Sequence, residues 1–332
     1  MERAFWTTVQ RACRSPGIDE TWTMAKNTSI GIVGTGWVGA SVAISTLHNA
    51  AAQEVLVHDR NRELAEGEAM DLSHGASFYP SARVRSVELD EMLDSDAVVI
   101  TAGRGGTADE SRLELVRENA RILGELGEHF RAYRGTVVIV TNPVDVLTYV
   151  FQRESGLPAQ RVIGTGTMLD TTRLRQVLGR ELEVDPRSVH AQVIGEHGDS
   201  EVCVWSSAVV GGTRIRDWPV WAPHREREVE TEVREAAYRI IERKGATNHA
   251  IGLVTANLLR GMLRNERRVL TVSRVQEGVS DFDGVALSLP TIVGADGAGE
   301  VIIPALDENE LAALDRSADV LRKAIASISP GR

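Results

Sequence analysis

The chain has 332 residues, 42% of them hydrophobic and 25% charged, with a formal net charge of −10. That length suits one large or two modest domains with a substantial buried core, and an acidic chain is a poor partner for nucleic acid or an anionic membrane surface. No apolar run reaches the roughly 18 residues that span a bilayer, and two distant cysteines, Cys13 and Cys203, make neither a disulfide framework nor a zinc motif. The expectations are therefore a cytoplasmic protein with no nucleic acid, no membrane and no metal. An anionic small molecule would need a local cluster of arginines.

Residues 1–27 mix Arg3, Arg11 and Arg14 with Phe5, Trp6 and Trp22. Glu2, Asp19 and Glu20 argue against a transit peptide, and no long apolar stretch suggests a secretory signal. Three readings stay open for this arm: a non-native leader before Met24, a disordered segment, or a segment packed on a neighbouring subunit. Strand signals follow at Ser29–Gly34, Glu54–Asp59, Asp96–Gly103 and Thr136–Pro143, with helical stretches between them, notably Leu113–Tyr133. Continuous β-branched runs alternating with helices predict an α/β fold with a parallel sheet covered on both faces. Past residue 165 the pattern changes to α+β. Val189–Gly195 and Val202–Gly212 read as strands, and His224–Lys244 as a long charged helix interrupted at Gly245. Asn248–Arg264 continues helically, Val269–Val275 and Val285–Val293 form an antiparallel meander, and Asp307–Ser327 is a closing amphipathic helix. The expected division is an arm (1–27), a dinucleotide-binding domain (28–165) and a catalytic domain (166–332).

Gly34-Thr35-Gly36-Trp37-Val38-Gly39 follows the first strand and opens a helix. The glycines permit a tight turn, close approach of backbone to a pyrophosphate and close helix–strand packing, the signature of a Rossmann-type doubly wound sheet. Asp59 ends the next strand, where a carboxylate bonds ribose hydroxyls and repels a 2′-phosphate. NAD is thus expected over NADP, with Arg60 and Arg62 leaving some tolerance for the latter; a strand-end cap is the alternative for Asp59. Thr101-Ala102-Gly103 ends another strand with small residues that let a cofactor lie across the sheet, or forms an ordinary turn.

His197 lies in Ile194-Gly195-Glu196-His197-Gly198-Asp199 after an apolar strand, and Asp170 lies where a helix begins. A histidine paired with a carboxylate keeps a defined tautomer and suits reversible proton transfer to a carbonyl oxygen while hydride moves to carbon. Spacing alone does not pair these two. Arg173, three residues after Asp170, shares its helical face, and its planar fork suits a bidentate grip on a carboxylate. Arg112 follows the glycine-rich stretch 103–107, from which a loop-borne arginine could close over substrate and polarise its carbonyl. Asn142, before Pro143, could face both cofactor and substrate. Taken singly, each arginine is more often a solvated surface residue.

Together these motifs resemble the L-lactate/L-malate dehydrogenase family from about residue 29 to the C-terminus: GTGWVG (34–39), AEGEAMDLSHG (65–75), VVITAG (98–103), ESRLELVRENARI (110–122), TNPVDVLT (141–148), GTMLDTTRLR (166–175), VIGEHGDSEVCVWS (193–206) and KGATNHAIG (244–252). The lactate branch fits better. The resemblance implies an NAD-dependent L-2-hydroxy-acid dehydrogenase, pyruvate plus NADH giving L-lactate plus NAD. It implies His197 as acid/base, Asp170 as its partner, Arg173 as the carboxylate clamp, Arg112 as the carbonyl-polarising arginine and Asn142 as a carbonyl ligand. It further implies Thr247 lining the substrate pocket, Ile251 against the nicotinamide, Trp37 and Val38 in the cofactor loop, a homo-oligomer (dimer or tetramer), and Arg175 with His190 at a possible sugar-bisphosphate effector site.

One position departs from the family pattern. Lactate dehydrogenases carry glutamine, and malate dehydrogenases arginine, six residues before the loop arginine; here that residue is Gly106. Without a cation there, malate loses a charge-assisted contact of roughly 1.5–3 kcal/mol. Arg104 could substitute in a rearranged loop. Glycine also removes a side chain over the substrate, so the pocket could admit bulkier 2-oxo acids or the loop could close less well.

Overall fold

The computed structural model describes residues 28–105 and 112–328. The arm 1–27 with Cys13, the loop position Gly106 and the side chain of Arg112 lie outside the described residues. Strands β1 (Ser29–Val33), β2 (Glu54–His58), β3 (Arg83–Ser86), β4 (Ala97–Ile100), β5 (Thr136–Ile139) and β6 (Val162–Gly164) are all parallel, in the order β3-β2-β1-β4-β5-β6. The order reverses between β1 and β4, and ligands of such sheets sit outside the strand carboxyl ends at that point. Helices α1 (Trp37–His48), α2 (Arg62–His74), α3 (Arg112–His129) and α4 (Val144–Ser155) follow β1, β2, β4 and β5.

Alternation along β4 explains why both faces are covered. Ala97 and Val99 enter one apolar cluster with Ile30, Ile32 and the α1 residues Val42 and Leu47. Val98 and Ile100 enter the other, with Phe130, Leu147 and Phe151.

The second half supplies α5 (Met168–Glu181), β7 (Val189–Ile194), β8 (Val202–Val210), β9 (Thr213–Arg214), α6 (His224–Lys244), α7 (His249–Leu263), β10 (Arg268–Val275), β11 (Ala286–Gly294), β12 (Gly297–Val301) and α8 (Glu308–Ile328). The sheet β7-β8-β9 is separate and packs on α5 and α6 through Leu174, Val177, Trp205 and Val233. The expected meander is antiparallel, but it is not an independent sheet. Ser273 of β10 pairs with Gly164 of β6, so one nine-stranded sheet runs from β12 to β3.

The structure trims several predicted boundaries. The strands expected through Asp59, Gly103, Pro143, Gly195 and Gly212 stop at His58, Ile100, Ile139, Ile194 and Val210. Gly195, Gly211 and Gly212 have φ of 88°, 57° and 83°, outside the strand region, and Pro143 has no N–H for a ladder. The helix expected through Tyr133 ends at His129 and tightens into a 3₁₀ turn at Phe130–Ala132. The buried Tyr133 hydroxyl then donates to the Ser95 carbonyl at 3.0 Å. Among the described residues no helix is long and apolar enough to cross a membrane.

Candidate active site

The glycine turn after β1 is built as its spacing predicts. Gly34 has φ of 97°, and a Cβ there would lie 2.6 Å from the Ala102 nitrogen at the end of the neighbouring strand. A Cβ at Gly39 would fall on the Gly34 carbonyl oxygen, so this glycine permits the helix to meet the strand. Gly36 is different, since a Cβ there would meet nothing within 4 Å. Its openness leaves backbone N–H groups accessible at the start of α1, the arrangement that receives a pyrophosphate. The Thr101 hydroxyl donates to the Gly34 carbonyl at 2.6 Å and joins the two loops.

Gly34, Gly36, Asp59, Thr101, Ala102 and Gly103 line one cavity of about 560 Å³. Leu64, Leu89, Ile122 and Leu126 give it an apolar end that suits an adenine ring. The site thus fits a dinucleotide. Asp59 sits at its rim, held by the Thr35 N–H at 2.8 Å and the Asn61 N–H at 2.9 Å. Asp59 ties down the loop, as a strand-end cap would, and it also lines the cavity. Trp37 points elsewhere. It is 63% exposed and lines a different cleft, with Ile44 and Asp71, so only its backbone belongs with the glycine turn. Val38 packs on the core.

Asp170 and Arg173 occupy the first turn and a half of α5. Arg173 Nη1 donates to Asp170 Oδ1 at 2.7 Å, and Asp170 Oδ2 lies 2.5 Å from His197 Nδ1. Asp170 is 2% exposed and the His197 side chain 23%. His197, which spacing alone did not pair with Asp170, therefore joins Asp170 and Arg173 in one chain of contacts. Burial alone opposes the charged imidazole, but Asp170's charge and hydrogen bond, with Asp145's charge, outweigh it and hold His197 up to about 9. Burial likewise opposes the Asp170 anion, yet His197 and Arg173 win and keep its carboxyl below the usual range.

The loop carrying His197 is fixed from several sides. Gly195 exchanges two backbone hydrogen bonds with Ser288 of β11, at 2.8 and 2.9 Å. The Glu196 N–H donates to Ser317 of α8 at 2.7 Å. The His197 N–H donates at 2.7 Å to Asp145, in the first turn of α4. Asp145 immediately follows the Asn142-Pro143-Val144 turn at the carboxyl end of β5, so this bond ties the His197 loop to the rim of the dinucleotide sheet. Burial lifts the Asp145 carboxyl to about 6.

Sequence reasoning quoted Asp145 within TNPVDVLT and gave it no role. It also passed over Asn119, which is buried, accepts the Arg104 N–H at 2.8 Å and donates to the Asn142 carbonyl at 3.3 Å. Asn119 thereby joins the base of the 103–107 stretch to the end of β5. An asparagine on an otherwise apolar or charged helix face was the available signal for it.

The other candidates make local contacts of their own. The Asn142 side chain caps α4, accepting the Val144 N–H at 3.3 Å. Thr247 lies half-buried in the link between α6 and α7, and Ile251 packs against the core. Arg175 Nε donates to the Ala191 carbonyl at 2.9 Å, next to an exposed His190. Burial and then the like charge of Arg268 lower the Arg175 guanidinium from its ordinary value.

Comparison with known proteins places this geometry. Residues 28–164 match the lactate/malate dehydrogenase NAD-binding domain, and residues 167–329 match the lactate/malate dehydrogenase alpha/beta C-terminal domain. The chain is 44% identical to the L-lactate dehydrogenase of Synechococcus sp. (strain JA-3-3Ab) over 300 residues, covering 90% of this chain and 98% of that protein. It is 43% identical to the L-lactate dehydrogenase of Salinibacter ruber over 317 residues, covering 93% and 100%. A minor L-lactate dehydrogenase from Enterococcus mundtii superposes with a TM-score of 0.89 at 38% identity, covering 92% of this chain and 99% of that structure. With both halves matched in order and at this identity, the chain belongs to the lactate/malate dehydrogenase family.

Proposed function

We propose that the chain is an NAD-dependent L-lactate dehydrogenase, reducing pyruvate to L-lactate and running the reverse oxidation. The observation that carries this reading is the contact chain Arg173–Asp170–His197, anchored through Asp145 beside a cavity fit for a dinucleotide. Bound NADH supplies the hydride. Residues 28–165 hold the cofactor and residues 166–332 carry the acid/base and carboxylate-binding groups. Asp170 occupies His197 Nδ1, which leaves Nε2 to give its proton to the carbonyl oxygen as hydride arrives at carbon, and to take it back in the oxidation. Arg173 grips the substrate carboxylate. Arg112, at the start of α3, polarises the carbonyl, and Asn142, Thr247 and Ile251 complete the wall around substrate and nicotinamide. Asp59 selects NAD through the adenosine ribose. Arg175 and His190 form a candidate effector site for a sugar bisphosphate.

Gly106 favours a second reading of the substrate. A glycine where relatives carry glutamine or arginine leaves room for a longer 2-oxo acid side chain, and Arg104 nearby could meet a charged one. Assay of the purified protein with NADH and a panel of 2-oxo acids separates the readings. Pyruvate ranking first in kcat/KM supports lactate dehydrogenase; a bulkier or charged acid ranking first supports the second. Failure to oxidise NADH with every acid overturns both.

The protein acts as a cytoplasmic homo-oligomer in this proposal. Phe78 is 85% exposed, Met70 61% and Leu253 59%, and a neighbouring subunit would cover such side chains. Sedimentation at varied concentration tests self-association.

A further inference from the structure

We propose that Glu201, a buried carboxyl in the turn that follows His197, is a positioning residue for the acid/base reaction and acts on the His197–Asp170 pair through its charge. This rests on the functional reading of His197 given above. Glu201 lies four residues beyond His197, and its N–H closes the intervening turn on the Gly198 carbonyl at 3.2 Å. It is 8% exposed, and its Oε1 is buried without a hydrogen-bond partner among the described residues. Burial with one carboxyl oxygen unpartnered favours the neutral form.

The charges around it point the same way. Asp170 and Arg173 on α5, His197 on the same loop and Arg234 on α6 act on it through their charges, and Glu201 with the half-buried Glu230 of α6 acts in turn on the buried Cys203 of β8. After burial, the strongest influence is the Asp170 anion, which raises the Glu201 carboxyl; His197, Arg234 and Arg173 pull it back, and the balance is about 8. Arg234 Nε is itself buried without a partner among the described residues. Ionising Glu201 therefore places a further anion near Asp170 and the imidazolium. Proton loss from His197 becomes harder in the alkaline range, where 2-oxo acid reduction would otherwise fail for want of a proton.

The test has two arms. Infrared difference spectra of wild type minus Glu201→Gln should show a protonated carboxyl band at pH 7 that disappears as pH rises through 8. This arm needs no turnover, so it separates failure of the proposal from failure of the functional reading. In the kinetic arm, the alkaline limb of kcat/KM for 2-oxo acid reduction should move to lower pH in Glu201→Gln. The ratio of activity at pH 9.5 to that at pH 6.5 should drop about threefold to tenfold, corresponding to a half-unit to one-unit shift. Glu201→Asp, which retains an ionisable group, should recover the wild-type limb. No carboxyl band at pH 7, or superimposable alkaline limbs in wild type and Glu201→Gln, overturns the proposal.

Discussion

Asp170 serves His197 and Arg173 with one oxygen each, at 2.5 Å from His197 Nδ1 and 2.7 Å from Arg173 Nη1. Its charge does more than orient the ring, because without it burial would push the imidazole toward the neutral form. Asp170→Asn should keep the shape and lose the charge. The expected result is a fall in kcat/KM for 2-oxo acid reduction of roughly 100- to 10,000-fold, with the pH limit for reduction moved down. Steady-state rates across pH check both, and a rate within tenfold of wild type at every pH would remove Asp170 from the acid/base role.

The elevated His197 gives a directional pH dependence. Reduction needs the imidazolium and oxidation the neutral ring, so in the free enzyme kcat/KM for the 2-oxo acid should fall as pH rises through about 9, while that for the hydroxy acid should rise over the same window. Stability follows the same proton. The folded state holds it more tightly than the unfolded value of 6.5, so His197's contribution is fully present below 6.5 and is lost as pH rises through about 9. Chemical denaturation of the unliganded protein at several pH values should show that decline, and it should be smaller in His197→Gln, where the raised Glu201 carboxyl still contributes to the loss up to about pH 8.

Arg173 has Nη1 committed to Asp170, leaving the rest of its fork for a substrate carboxylate. Lysine keeps the charge but cannot meet both partners with planar geometry. Arg173→Lys should raise KM for 2-oxo acids by roughly 10- to 100-fold, the loss of a charged hydrogen bond of about 1.5–3 kcal/mol. An unchanged KM would move the carboxylate clamp to another residue.

These residues differ in how far sequence revealed them. Asp170 and Arg173 share a helical turn, so their pairing follows from spacing. His197 joins them only through a contact 27 residues away, and it was the surrounding motif that singled it out. Asp145 was illegible in its role, because its partner is a backbone N–H 52 residues on, which no side-chain pattern announces. Glu201 reads in sequence as an ordinary polar loop residue, and only its burial reveals it. In the fold, the parallel half was plain from its apolar runs. The merger of the meander with it was not, since a single register contact between Ser273 and Gly164 carries the join. The short strands β3, β6 and β12 lacked the length or the apolar run that marks a strand.

The glycine turn separates a folding requirement from a binding one. An alanine Cβ at Gly39 collides with the Gly34 carbonyl, whereas one at Gly36 enters open space in the unliganded protein. Gly39→Ala should therefore lower the Tm of the cofactor-free protein. Gly36→Ala should leave that Tm near wild type and weaken NADH binding by tenfold or more, by standing where backbone approaches pyrophosphate. Calorimetric melting and NADH fluorescence titration measure the two. Equal thermal loss in both variants would contradict this division of labour.

Asp145 gives a final contrast between an anchor and a charge. Its Oδ2 accepts the His197 N–H, and burial raises its carboxyl to about 6. Asparagine can still accept that hydrogen bond, while alanine leaves the N–H unsatisfied at a cost of roughly 1–3 kcal/mol. At pH 7, Asp145→Ala should melt well below Asp145→Asn. The sign of the pH effect is also fixed. A buried carboxyl with a raised value contributes fully below the ordinary 3.8 and loses that contribution as pH rises through about 6. Asp145→Asn escapes this loss, so its stability relative to wild type should improve between pH 4 and pH 7. A constant difference across that range would mean that Asp145 does not titrate there and acts only as a hydrogen-bond acceptor for the His197 loop.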